Sequence, residues 1–279
     1  MTSYLQYLLP HHLLSAIMHA ITRIEWAPFK NLLIRQVISM YDVDLSSARE
    51  ENPGNYPSFN AFFTRQLKAD ARPVAEGNNV ASPVDGTVSQ AGDILDGRIF
   101  QAKQHSYSLA ELLGGREQLA CEFKNGKFAT IYLSPRDYHR IHMPADGQLR
   151  EMIHVPGRLF SVSPETTRVV SRLFARNERL INIFDSEQGP FAVIMVGAIF
   201  VSSMDTVWEG TVTPRRQQPT SWDYRQQKKH IELTKGEEMG RFNMGSTVIL
   251  LFPDNKVDWL DMLTPETRLQ MGQEIAHRV

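Results

Sequence analysis

The stretch RFNMGSTVILLF, residues 241–252, sets a small Gly-Ser-Thr step directly against a run of apolar and β-branched side chains. Residues 247–252 predict a core strand, although periodicity alone leaves a buried helix open. Upstream, FAVIMVGAIFVSSMDTVW (191–208) reads the same way. In LACEFKNGKFATIYL (119–133), Asn125-Gly126 falls between alternating runs and predicts a two-residue hairpin, with Cys121 buried in its first strand. SPVDGTV (82–88) and MPADGQL (143–149) share a Pro-x-Asp-Gly step that leads into a strand, which suggests a duplicated half.

Ahead of this β-rich region the pattern is helical. Leu13, Leu14, Ile17, Met18, Ile21 and Ile24 recur at spacings of three and four, and Phe29, Leu32, Leu33, Val37 and Met40 resume the pattern after Pro28. Pro28 suits the first turn of a second helix. Such an amphipathic pair serves equally to pack on a core or to lie in a lipid headgroup layer with Trp26 and Phe29 as anchors. Ser58 is placed to cap a short helix carrying Phe59, Phe62 and Phe63, and Ser108 with Glu111 forms a capping box. The expected fold is therefore α+β: a β-rich core, barrel- or sandwich-like with a pseudo-duplicated half, preceded by N-terminal amphipathic helices.

Thirty basic residues against 31 acidic ones leave no general field that would favour nucleic acid. One cysteine excludes an intramolecular disulfide and a zinc cage of several thiolates, and fits a reducing compartment. The start of the chain lacks the basic and apolar regions of a secretory signal, and no stretch approaches the roughly 20 apolar residues of a spanning helix. A cytoplasmic protein, or one attached to a membrane face, is expected. Arg215, Arg216, Arg225, Lys228 and Lys229, in the polar stretch 213–233, form either a solvated loop or a site for an anionic group.

Three places carry potential chemistry. Asp85 sits in the first Pro-x-Asp-Gly turn, His139 and His142 lie three residues apart in SPRDYHRIHMPADG (134–147), and Ser246 follows Gly245. Serine is a weak nucleophile that needs a base, itself oriented by a carboxylate, and Asp85, His142 and Ser246 supply such a trio. No G-x-S-x-G elbow surrounds Ser246, which disfavours an α/β-hydrolase. From the residues alone its target stays open.

Together, FNAFFTRQL with the following Arg-Pro (59–73), SPVDGTVSQ (82–90), LSPRDYHRIHMP (133–144), LFARNERL (173–180) and EMGRFNMGSTVILLF (238–252) resemble the bacterial membrane-associated phosphatidylserine decarboxylases. Met244 replaces the Leu of the family's Leu-Gly-Ser-Thr signature, a swap of similar volume. The resemblance implies that the chain cuts itself between Gly245 and Ser246. His142 acts as base, Asp85 orients it, and Ser246 becomes a pyruvoyl group, the only cofactor, with no metal. That group forms a Schiff base with phosphatidylserine and accepts the electrons released with carbon dioxide, with His139 or His142 as proton donor, His139 being favoured. Residues 1–41 then form a membrane-association segment and 42–279 the catalytic domain, divided into a large piece (42–245) and a small one (246–279). The pieces stay together as a heterodimer that pairs into a homodimer, peripheral to the cytoplasmic side of the cell membrane.

Two readings from other classes stand beside this one. A metal-dependent hydrolase would use His139, His142 and Asp85 as ligands. A non-catalytic lipid carrier would present Lys124 or Lys127 on a hairpin.

Overall fold

Strand Thr247–Phe252 lies at the middle of the molecule, and every one of its residues is buried. In the computed structural model, which describes residues 5–102, 105–199, 203–212, 218–245 and 247–279, the side chains of this strand divide between two cores. Val248, Leu250 and Phe252 enter one, while Ile249 and Leu251 enter the other. That division explains the unbroken apolar run: both faces of the sheet are covered, so neither set of positions can be polar. Burying one such side chain contributes about 1.5–3 kcal/mol.

The strands that position the site are β1 (Gly86–Asp93), β2 (Lys127–Tyr132), β3 (Arg140–His142), β4 (Gly147–Val155), β5 (Arg179–Asp185), β6 (Phe191–Val196), β7 (Ser203–Thr206), β8 (Gly210–Thr211), β9 (Thr220–Asp223), β10 (Glu238–Asn243), β11 (Thr247–Phe252) and β12 (Arg268–Leu269). A nine-stranded sheet runs β9-β4-β5-β6-β11-β2-β1-β12, with Glu232–Leu233 as a further strand on β4. A four-stranded sheet, β8-β7-β10-β3, contributes Ile141, Met204, Met239 and Phe242 to the core on one face. Short helices, including α4 (Leu109–Leu112) and α5 (Glu117–Glu122), cover the other face. The arrangement is α+β and sandwich-like, and the large sheet does not close into a barrel.

The two Pro-x-Asp-Gly turns occupy matching places. They open β1 at Gly86 and β4 at Gly147, each second from an end of the large sheet. Each strand also has a register shift at the same offset, Val88/Gln90 in one and Leu149/Glu151 in the other. A shared bulge position is a stronger sign of a repeated half than the four matching letters.

Two local expectations are overturned. Leu119, Ala120 and Phe123 share a helical face on the core, so Cys121 lies on α5 and is exposed, not buried in a strand. Asn125, at φ 62°, follows that helix, and Asn125-Gly126 leads from it into β2 without forming a hairpin. The apolar run 191–208 is strand as expected, in two pieces, β6 and β7, that belong to different sheets.

Helices α1 (His11–Ile21), α2 (Ala27–Tyr41) and α3 (Phe59–Phe63) precede and flank the sheets. Ser58 caps α3, accepting from Ala61 N at 3.2 Å, and Ser108 with Glu111 completes its box at α4. Ile34, Val43, Tyr56, Phe59, Phe62 and Phe63 form a third core, against which Met244 packs. The helices turn an unusual side outward. His11, Ser15 and Thr22 are buried against the protein, whereas Leu13, Ile17, Leu32, Trp26 and Met40 are exposed, the last two at 68% and 72%.

Candidate active site

Residues 244–246 link β10 in the four-stranded sheet to β11 in the nine-stranded one. Ser246 itself lies outside the described residues, so the site is built from its neighbours. Gly245 lies against His139: a Cβ added to Gly245 would stand 3.7 Å from His139 Nε2 and 3.7 Å from Leu133 O. The His139 ring packs on Phe63 of α3 with centroids 4.0 Å apart, and its Nδ1 donates to Asp137 O at 2.8 Å. That bond fixes the tautomer and leaves Nε2 as a bare lone pair, buried without a partner among the described residues. Complete burial and then the charge of Arg65 push His139 down to about 3, so the ring is neutral near pH 7.

His142, on β3, has both ring nitrogens engaged. Its Nδ1 donates to Gly236 O at 2.7 Å, and its Nε2 accepts from Tyr138 Oη at 3.0 Å. Burial lowers its proton affinity; the Gly236 bond and the charges of Glu238 and Asp85 oppose that shift. Asp85 is within electrostatic range but makes a different contact. Its Oδ1 accepts from Arg72 Nε at 2.9 Å and Met271 N at 2.8 Å, and its Oδ2 from Arg72 Nη2 at 2.6 Å. The orienting partner of His142 in this structure is therefore the Gly236 carbonyl, where the sequence pointed to Asp85. A guanidinium fork offers a carboxylate two charge-assisted bonds, which a neutral imidazole cannot match.

Asp137 completes the loop before His139. Its Oδ2 accepts from Ser134 N and Ser134 Oγ, both at 2.7 Å, and its Oδ1 from Arg268 at 3.0 Å. Burial pushes its carboxyl up, against those bonds. Among the described residues no group of three or more His, Cys, Asp or Glu is placed to hold a metal; His139 and His142 each have Nδ1 on a carbonyl and Asp85 is forked by Arg72. Sequence assigned no place in the site to Arg72, Tyr138, Gly236 or Phe63, although Phe63 was expected on the helix that Ser58 caps. Tyr138 carried a signal in its place directly before His139 and four residues before His142, and Arg72 in the Arg-Pro step that closes 59–73.

An apolar cavity of about 440 Å³ opens over Gly245, walled by Val37, Met40 and Tyr41 of α2, Phe59 and Phe63 of α3, and Ala198 and Ile199. Beside it lies a polar cavity of about 290 Å³ that includes Arg65, Arg72, Asp85, Arg136 and Asp137. The neighbouring pairs Tyr41/Asp42 and Pro135/Arg136 each divide between the two cavities.

A family model described as phosphatidylserine decarboxylase matches residues 59–277, most of the chain and all the residues just described around Gly245 except those of α2. The chain belongs to the phosphatidylserine decarboxylase family. A second model, described as PSD, matches residues 2–42. Curated relatives include the phosphatidylserine decarboxylase proenzymes of Nitrosococcus oceani, 51% identical over 98% of this chain and 90% of the relative, and of Azotobacter vinelandii, 54% identical over 97% and 95%. The proenzyme of Bordetella pertussis is 52% identical over 97% and 92%. Members of this family are enzymes, and the relatives' names mark them as made in precursor form.

Proposed function

We propose that the chain is a self-processing decarboxylase that converts phosphatidylserine to phosphatidylethanolamine and carbon dioxide, using a pyruvoyl group made from Ser246. The observation that carries this reading is the bare, buried Nε2 of His139 packed against Gly245 at the floor of an apolar cavity. An unsatisfied buried nitrogen is costly, and a reacting group beside Gly245 gives it a partner. The site fits a small carbonyl group at position 246: Gly245 leaves room and His139 offers the only bare imidazole nitrogen at that step among the described residues. When present, the pyruvoyl group supplies a carbonyl able to take up the electron pair left by departing carbon dioxide.

This chain's own residues do the rest. Asp85, His142 and Ser246 form the relay for the cut between Gly245 and Ser246; the Gly236 bond keeps Nε2 of His142 as its basic nitrogen, and the nearby Asp85 charge favours the protonated form. His139 carries the proton delivered to the substrate carbon, its Nε2 first taking that proton up, since the resting ring holds none at that atom. The apolar cavity takes the lipid chains, with α2 as one wall. The outward Leu13, Ile17, Trp26, Leu32 and Met40 support peripheral attachment of residues 1–41 to the cytoplasmic face of the cell membrane. No described helix is long and apolar enough to cross a membrane. After cleavage β11 stays hydrogen-bonded between β2 and β6, which holds the 246–279 piece in the fold as one partner of a heterodimer.

Intact-mass measurement of the purified protein, with Ser246→Ala as control, tests the reading. Fragments 1–245 and 246–279, the latter blocked at its N-terminus, are expected from wild type only. A wild-type chain that stays whole would refute self-processing.

A further inference from the structure

The link that carries Gly245 is held at both ends. On one side Asn243 ends β10: its Oδ1 accepts from Asn60 Nδ2 at 3.0 Å and its Nδ2 donates to Ser203 Oγ at 2.7 Å. On the other side Thr247 begins β11, registered against Tyr132 of β2 and Val196 of β6. Only residues 244–246 span the gap between two different sheets. Within that span Met244 adopts φ 96°. The other seven described non-glycine residues with positive φ lie between 51° and 73°, the left-handed helical basin, and Met244 is the one beyond it. A residue with a Cβ stays in such a sparsely populated conformation only when its surroundings over-determine it. Here the surroundings are visible, since the Met244 side chain packs into the α2–α3 aromatic core while its neighbour Asn243 is clamped.

We infer that Met244 is a positioning residue for self-cleavage: its strained backbone, clamped between two sheets, relaxes as the Gly245–Ser246 bond breaks and so speeds the cut. This rests on the self-processing reading above. In the first step Ser246 Oγ adds to the Gly245 carbonyl carbon, the C–O bond forms, the C–N bond breaks, and the hydroxyl proton ends on the freed Ser246 nitrogen. Loss of the Ser246 Cα proton to a base then breaks the Cβ–O bond, and Gly245 leaves as a carboxylate. Water adds to the dehydroalanine at 246 as ammonia departs, which leaves the ketone. The first step loosens the tether between the sheets, because Gly245 and Ser246 are then joined through the longer ester link, and breaking the Cβ–O bond removes it and frees Met244. The same release disfavours rejoining of the ends.

The test compares Met244→Gly with Met244→Ala in the full chain made by cell-free synthesis, following fragments 1–245 and 246–279 over time. Both variants lose the side chain's packing, but only glycine accepts positive φ freely. Met244→Gly is expected to cut about tenfold more slowly than Met244→Ala, the equivalent of about 1.4 kcal/mol in barrier. In uncut chains carrying Ser246→Ala the order reverses, with Met244→Gly melting about 2 °C or more above Met244→Ala, because an alanine forced to positive φ destabilises. A merely structural role moves melting and cutting in the same direction. Equal cutting rates, or glycine faster than alanine, would overturn the inference while leaving self-processing intact. If wild type itself yields no fragments, both fall together.

Discussion

Removing the guanidinium that holds Asp85 is the sharpest probe of the site. Arg72 and Asp85 are joined by three contacts of 2.6–3.2 Å, and their side chains retain only 13% and 11% of their exposure. A surface ion pair contributes about 0–1 kcal/mol, whereas breaking a buried pair costs about 3–5 kcal/mol because a charge is left behind without its partner. Asp85 keeps the Met271 N–H and some contact with water, which places Arg72→Met at the lower end, about 3 kcal/mol. Arg72→Met combined with Asp85→Asn removes both charges and is expected to recover most of that loss, giving a coupling of about 2 kcal/mol in the double-mutant cycle. All four chains are compared on the uncut Ser246→Ala background by urea unfolding, so that cleavage does not enter. A single-variant loss below about 1 kcal/mol, or no recovery in the double variant, would refute the claim that Arg72 is the principal partner of Asp85.

Other consequences of the structure are accessible to similar experiments. His139 has its proton affinity depressed in the folded chain to about 3, so the unfolded chain binds the extra proton between that value and about 6.5. Stability should therefore rise with pH through this window, with an extra slope of up to about 1.4 kcal/mol per pH unit, and be complete above it; urea midpoints of His139→Gln from pH 4 to 7 should lack that slope. Asp85→Asn should leave an uncut chain by mass, while Asp146→Asn, in the matching turn where the carboxylate is exposed and caps Lys235 N, should cut normally. Trp26→Ser removes a 68%-exposed ring from the outward helical face and should weaken binding to anionic lipid vesicles about tenfold in a flotation assay.

Much of the fold was legible because its signals are local. The caps at Ser58 and Ser108 form as their spacing predicts, and 247–252 is the core strand its apolar run required. The misreadings occur where a short apolar pattern admits two periods. Around Cys121 the residues Leu119, Ala120 and Phe123 serve a helix face as readily as a strand, and packing on the second core decides between them. The helical stripe at the start of the chain was equally ambiguous about direction, and the contacts of α1 and α2 turn Leu13, Trp26 and Met40 to solvent.

Residue order alone limited which chemistry was within reach: a carboxylate in a Pro-x-Asp-Gly turn, two histidines three apart, and a serine after glycine at the mouth of a buried strand. Those are statements about residue types and about backbone conformations chosen within a few positions. The partners were chosen by folding. Asp85 takes Arg72 and the distant Met271 N–H, His142 takes Gly236 and Tyr138, and His139 faces Gly245 with a nitrogen that has no partner among the described residues. The reason is physical: a charged or polar side chain chooses among all groups that folding brings within about 3 Å and that burial removes from water, and most of those come from far away in the chain.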